Sequence, residues 1–332
     1  MGKLPFEKER KLITKRKTET DERFGKRPEE RSVEEHIKYG IINLDKPRGP
    51  TSHEVVAWVK KILNVKKAGH GGTLDPKVSG VLPIAIEEST KIVQTILPAA
   101  KEYVCVMHLH GDVEKRDIKR VFKEFEGEII QRPPIKSAVK RRLRTRRIYY
   151  LELIEFKEKD VLFRVGCDAG TYIRKLCHDI GEVLGCGAHM KELRRTKSGS
   201  FTEETLVTLH DVVDAYKFWK DYRKEGYIKK VIRPVEEALI YTPKVVIRDS
   251  AVDAICHGAD LAIPGIVKVD SEIEIGDLVG IFTLKGELVA IGEALMDTKT
   301  ILMEDYGIAV KTKRVLMKPS TYPRMWKRKN GE

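Results

Sequence analysis

The residues best equipped for chemistry lie in positions 68–80, AGHGGTLDPKVSG, where one carboxylate, Asp75, stands among residues that shape a loop. Gly69, Gly71 and Gly72 can take φ values closed to other residues and let another backbone approach closely. Pro76 fixes its own φ and drives Asp75 out of the helical region. A carboxylate held in this way can act as a nucleophile or a general base. The same letters also serve as ordinary turn punctuation, with Asp75 capping the element that follows. A second candidate is Arg174, which opens the stretch IRKLCHDIGEVLG, where Ile173, Leu176, Cys177, Ile180 and Leu184 trace one helical stripe. In that first turn the macrodipole disfavours a cation by a few tenths to about 1 kcal/mol, so an anionic partner from elsewhere in the fold is expected. His108 and His110 share a strand face, but no third ligand stands at a telling spacing, and no metal site is expected.

The elements needed to hold these groups can be read in outline. Tyr39 to Leu44 (YGIINL) is a short apolar run, after which Thr51 and Glu54 are spaced as a capping box for a helix bearing Val55, Val59, Ile62 and Leu63 on one face. Beyond the Asp75 loop, residues 81–86 read as a strand and 89–97 as a short helix. Tyr103, Cys105, Met107 and Leu109 then alternate onto one strand face, with Tyr103 as a core aromatic at its start. Residues 132–147, RPPIKSAVKRRLRTRR, carry the cations Lys140, Arg141, Arg142, Arg144, Arg146 and Arg147 with no acid among them. Without counter-charges such a run can grip phosphates, and the proline pair before it suggests a projecting arm, followed by a returning strand YYLELIEF. After a polar helical stretch to about 241, the composition changes to short β segments with glycine turns, the pattern of a small barrel.

Residues 1–36 are dense in both charges and poor in apolar periodicity, so they should be disordered alone or draped on something else rather than form an independent core. The chain has 332 residues, 63 basic and 50 acidic, and its formal net charge of +13 points to a polyanionic partner, with nucleic acid leading. No apolar run approaches the roughly 18 residues of a membrane span, and a cytoplasmic protein is expected. The five cysteines include no C-x-x-C pair and are expected to be reduced, buried thiols.

The string GHGGTLDPKVSGVLP closely resembles the active-site motif of the TruB-type pseudouridine synthases, GHxGTLDPxxxGxLP, which carries the catalytic aspartate. IINLDKPRGPTS resembles the first motif of the same family and places Lys46 and Pro47 beside that loop, where a stiff turn aiming the helix is the simpler role. The resemblance implies that Asp75, Tyr103 and Arg174 are catalytic: the KEY match puts the base-stacking tyrosine at Tyr103, and GTYIR supplies an arginine that pairs with Asp75. It further implies that His70, Tyr172 and Leu193 contact substrate, Leu193 through the match LRRTKSG, in which Arg194 and Arg195 can equally be plain surface residues. The basic run resembles the loop by which these enzymes clasp RNA. HGADLAIPGI and GELVAIGEA resemble a PUA domain, an RNA-binding module.

The fold implied is α+β: a catalytic domain with a mixed, largely antiparallel sheet flanked by helices, plus a small barrel-like PUA domain. The expected division is a charged extension 1–36, the catalytic domain 37–241, PUA 242–318 and a basic tail 319–332. The extension, the arm and the PUA strings look most like the archaeal relatives of dyskerin, catalytic subunits of H/ACA ribonucleoproteins. That implies isomerisation of uridine to pseudouridine in rRNA or tRNA, without a cofactor. The implied partners are an H/ACA guide RNA, a small zinc-ribbon-type protein, a β-barrel protein of the glycine-arginine-rich family and a kink-turn-binding ribosomal-type protein. A stand-alone tRNA T-loop synthase and a non-catalytic RNA-binding scaffold are the alternatives.

Overall fold

A computed structural model describes residues 2–132 and 142–325. Two sheets organise them. The larger has ten strands, in the order Arg233–Pro234, Gly40–Lys46, Ser79–Ile86, Ala188–Ser198, Lys101–Leu109, Asp160–Cys167, Arg144–Lys157 and Gly127–Gln131, with Ala68–His70 added to Ser79–Ile86 and Phe201–Thr202 to Ala188–Ser198. Every pairing in it is antiparallel but one. Ser79–Ile86 and Ala188–Ser198 run parallel and pair only at Ser79 with Arg194 and Gly80 with Arg195. The sheet is thus two antiparallel halves joined at a short parallel seam.

Each half has its own core. Helix Ser52–Ile62, started by the Thr51–Glu54 capping box, lays Val55 and Val59 against Leu44, Leu82 and Ile84, where helix Leu209–Tyr222 adds Val212 and Trp219. Fully burying each such aliphatic side chain contributes about 1.5–3 kcal/mol. On the other half, helices Lys115–Phe125 and Ile173–Val183 bury Ile118, Phe122, Leu176 and Ile180 against Met107, Phe163 and Val165. Tyr103 and Leu193 pack against both cores, which places them at the seam.

The smaller sheet has seven strands and curls into an open barrel: Leu12–Thr14, Ile266–Asp270, Lys244–Ile247, Leu278–Phe282, Leu288–Ala294, Ile308–Val315 and Leu261–Ala262. Its first strand comes from the charged N-terminal stretch, which is draped as expected, with Ile13 opposite Val269. Lys285 Nζ donates to the carbonyls of Asp21 and Phe24. Phe282, Leu288, Ile291 and Leu316 pack with Ile41, Val81 and Ala85 of the large sheet, so one core joins the two.

Three local expectations differ from the structure. Helix Val33–Lys38, capped by Ser32, runs through position 36, because Val33 and His36 have a core to face once the rest of the chain has folded. Residues 87–97 form a 3-10 turn, Glu87–Ile92, before the short helix Val93–Ile96. The strand after the basic run begins at Arg144 rather than Tyr149, since Arg144 to Arg147 pair with Gln131 to Glu128. Among the described residues no helix is long and apolar enough to cross a membrane. Cys105, Cys167, Cys177 and Cys256 are buried thiols, and Cys186 is half-buried.

Candidate active site

Asp75 sits where the chain enters the seam strand Ser79–Ile86, and its loop is held from several sides. Lys46, the last residue of strand Gly40–Lys46, is fully buried and points its ammonium at the loop. It donates to the carbonyls of Pro47 and Val78 at 2.9 Å and of Asp75 at 3.3 Å. Burial pulls this ammonium below its usual range, against the pull of the nearby Asp75 carboxylate. The Ser52 hydroxyl donates to the Leu74 carbonyl at 3.0 Å and accepts from the Leu74 N–H at 2.8 Å, which ties the loop to the start of its helix. Gly80 is required at the strand entry. Its φ is +104°, and a Cβ there would lie 2.2 Å from the Arg195 carbonyl oxygen.

The Asp75 side chain faces outward, 58% exposed, with Oδ2 2.7 Å from Nη2 of Arg174, itself 59% exposed. Arg174 stands in the first turn of helix Ile173–Val183, so Asp75 is the anion that its placement against the dipole called for. Tyr172 caps that helix in an extended conformation. The buried Gln131 amide grips its backbone, accepting from Tyr172 N–H at 2.9 Å and donating to its carbonyl at 3.2 Å. Opposite, Tyr103 and Arg195 are cross-strand neighbours, as are Cys105 and Leu193. Burial pushes the Tyr103 phenol up, while the Arg195 guanidinium pulls the other way. His70 accepts from the Gly72 N–H at 3.3 Å through Nδ1, with its ring 5.2 Å from that of His53. Burial, and then His53 and Arg195, hold its pKa below the usual value, so it is neutral near pH 7.

The structure therefore brings Asp75, Arg174, Tyr103, Tyr172, Leu193 and His70 to the seam and its flanking loops. Lys140 and Arg141 lie outside the described residues. Arg142 and Arg147 are exposed, and Arg144 and Arg146 are half-buried with Nε atoms that are buried and without a hydrogen-bond partner. Arg146 abuts the loop leading to Tyr172: a Cβ on Gly170 would lie 3.4 Å from its guanidinium. His108 is paired with Asp160 at 2.7 Å and His110 with His189 at 2.8 Å. Among the described residues no group of three or more His, Cys, Asp or Glu is set to hold a metal ion.

Sequence reasoning missed Gln131 altogether and read two basic residues too loosely. Lys46 does more than stiffen a turn, since it fastens the loop of Asp75. Arg195 is no surface residue but is 1% exposed, whereas Arg194 is partly exposed and paired with Asp45 and Glu203. The signal for Arg195 was its alternation in RRTKS, which places Arg195 on the opposite face from Arg194.

Comparison with known proteins follows the same layout. The N-terminal domain of the TruB family of pseudouridylate synthases matches residues 60–173, and the C-terminal domain of tRNA pseudouridylate synthase B matches 174–240. A DKCLD domain matches 2–56 and a PUA domain 243–316. The chain is 64% identical to a probable tRNA pseudouridine synthase B of Methanopyrus kandleri over 98% of this chain and 96% of the relative, and 60% identical to that of Methanocaldococcus jannaschii over 96% and 95%. It is also similar to a chain in the crystal structure of a Cbf5–Nop10–Gar1 complex, with a TM-score of 0.93, 60% identity and 97% and 98% of the two chains covered. A chain of an H/ACA ribonucleoprotein bound to a substrate RNA containing 2′-deoxyuridine gives 0.92, 58%, 97% and 99%. With a carboxylate–arginine pair at the seam, and matches that run through both catalytic regions and the PUA domain, this chain belongs to the TruB family of pseudouridylate synthases.

Proposed function

We propose that this chain isomerises uridine to pseudouridine in RNA as the catalytic subunit of an H/ACA guide ribonucleoprotein. The observation that carries the reading is the solvent-open Asp75–Arg174 pair, 2.7 Å apart, at a seam that also exposes part of Tyr103 and Leu193. The reaction breaks the N1–C1′ bond, turns the uracil and joins C5 to C1′, with a proton lost from C5 and one gained at N1. Asp75, as a carboxylate, either attacks C1′ or removes a proton from the 2′ carbon. Arg174 aims it and offsets its charge once RNA covers the site. Tyr103 offers a ring on which the extruded base can stack and a hydroxyl that relays the C5 proton. Leu193 closes the pocket beside the base, with Tyr172 and His70 on its walls.

The cations Arg142, Arg144, Arg146 and Arg147, with Lys140 and Arg141 before them, take backbone phosphates, a role supported by the exposure of Arg142 and Arg147. The curled sheet anchors the guide. Likeness to chains from a Cbf5–Nop10–Gar1 complex and an RNA-bound H/ACA assembly supports partners like Nop10 and Gar1, and a kink-turn-binding protein completes the proposed particle. A second reading, direct action on tRNA, is favoured by the curated relatives, which are probable tRNA pseudouridine synthases. Pseudouridine formation in rRNA and tRNA fragments, with and without guide RNA, separates the two. Product on rRNA only with a guide supports the proposal, and full activity on tRNA alone with none on guided rRNA overturns it.

A further inference from the structure

Among the described residues Arg195 is the largest of the fully buried side chains, and a guanidinium removed from water needs compensation. What it has is unusual for a buried cation. Nε donates to the Val81 carbonyl at 2.7 Å and Nη2 to the Gly72 carbonyl at 3.0 Å, and Tyr103 is its cross-strand neighbour. No carboxylate belongs to this group. Val81 and Gly72 flank the Asp75 loop on both sides, so one planar fork spans the loop beside Tyr103. A second buried basic group lies beside it. Lys101 is 3% exposed, and a Cβ on Gly72 would lie 3.5 Å from Nη1 of Arg195 and 3.6 Å from the Lys101 Cε. The groups whose charge bears on this spot from the surrounding elements are Arg195, Lys101, Lys46, His70, Asp75 and Cys167. Asp75 is the one carboxyl group among them, and it faces Arg174.

We infer that Arg195 is a positioning residue that acts through its cross-strand neighbour Tyr103, its buried cation stabilising the phenolate while the C5 proton is moved. A guanidinium only donates, so it can favour the Tyr103 oxygen as an acceptor but cannot take its proton. After C5 has joined C1′, the phenol O–H proton passes through water to N1. The phenolate takes the proton from C5, and the C5–H electron pair closes the ring double bond. The phenol is restored and no net proton is consumed. A buried, preorganised cation is placed to favour the transient anion, at no cost in reorganisation at that moment.

The inference rests on the pseudouridine synthase reading, and the experiment keeps the two apart. Single-turnover rates are measured in the assembled guide complex with ordinary and 5-deuterated target uridine. The proteins compared are wild type, Arg195→Gln, Arg195→Lys, and each of these with 3-fluorotyrosine in place of Tyr103. Arg195→Gln should slow the reaction by about 10²-fold and enlarge the isotope effect at C5, because proton removal becomes slow. Arg195→Lys, which keeps the charge, should restore much of the rate and the smaller isotope effect. The more acidic fluorinated phenol should partly rescue Arg195→Gln. Should Arg195→Gln fail to assemble, the same rescue is read on Arg195→Lys. A slowed variant with the wild-type isotope effect and no rescue by fluorotyrosine would overturn the inference, leaving Arg195 as a strut of the fold. A wild-type complex that makes no pseudouridine counts against the function itself, not against Arg195.

Discussion

Arg174→Ala should separate catalysis from stability, and the geometry of its ion pair sets the sizes. Both partners are more than half exposed, so in the free protein the 2.7 Å contact sits in high dielectric. Exposed pairs contribute about 0–1 kcal/mol, and removing Arg174 also relieves a cation in a helix first turn, worth a few tenths. Unfolding free energy should therefore change by less than about 1 kcal/mol. Once an RNA covers the pair, the effective dielectric falls from about 80 towards about 20, and the attraction between unit charges about 4 Å apart grows from ~1 to ~4 kcal/mol. The difference of ~3 kcal/mol, at ~1.4 per decade, corresponds to a rate loss of about 10²-fold. Denaturant unfolding and single-turnover pseudouridine formation measure the two numbers. A variant within threefold of wild type, or one that loses several kcal/mol of stability, would refute the reasoning.

Other perturbations read other parts of the account. Lys46→Met deprives the carbonyls of Pro47, Asp75, Pro76 and Val78 of a donor while removing a buried charge, so a net loss of about 2–4 kcal/mol in unfolding free energy is expected, and a loss below about 1 kcal/mol would show that the clamp is idle. Burial draws the Lys101 ammonium down to about 7. The folded chain then binds fewer protons than the unfolded one between about pH 7 and about pH 10.4, so this group makes stability rise with pH across that window. Lys101→Met should flatten the rise between about pH 7 and about pH 10 and give its largest relative gain at the acid end, whereas an unchanged profile in denaturant titrations would remove Lys101 as its source. Replacing Arg142, Arg144 and Arg146 by Ala should lower the salt slope of RNA affinity by about 0.7–0.9 for each phosphate that these arginines neutralise in the wild type, and a parallel line on the salt plot would mean that they do not touch RNA.

How much could be read beforehand followed from how local each cause is. The Thr51–Glu54 box, the stripe of helix Ile173–Val183 and the alternation after Tyr103 are written within a few residues, and each appears where its pattern put it. Asp75 and Arg174 were legible from a motif and from a cation placed against a helix dipole, although 99 residues separate them. What was not legible depended on pairing at a distance. Whether Arg195 is buried depends on two ladder pairs with Ser79–Ile86, and the grip of Gln131 on Tyr172 exists only after strand Gly127–Gln131 has joined the sheet edge. The strand from the N-terminal stretch could not be recognised either. Leu12 and Ile13 remain largely exposed, and the backbone ladder to Ile266–Asp270 leaves no apolar periodicity to detect.

The claim at the centre is that Asp75 performs the isomerisation. Asp75→Asn keeps the size of the side chain and removes the charge, and among the described residues the wild-type carboxylate pairs with Arg174 at an open surface, so folding and RNA affinity should be little altered. The decisive measurement is pseudouridine formation at the guided uridine by the Asp75→Asn complex under single turnover, with RNA binding checked on the same preparation. The account predicts normal binding and no product above background; product formed at an appreciable fraction of the wild-type rate would contradict it.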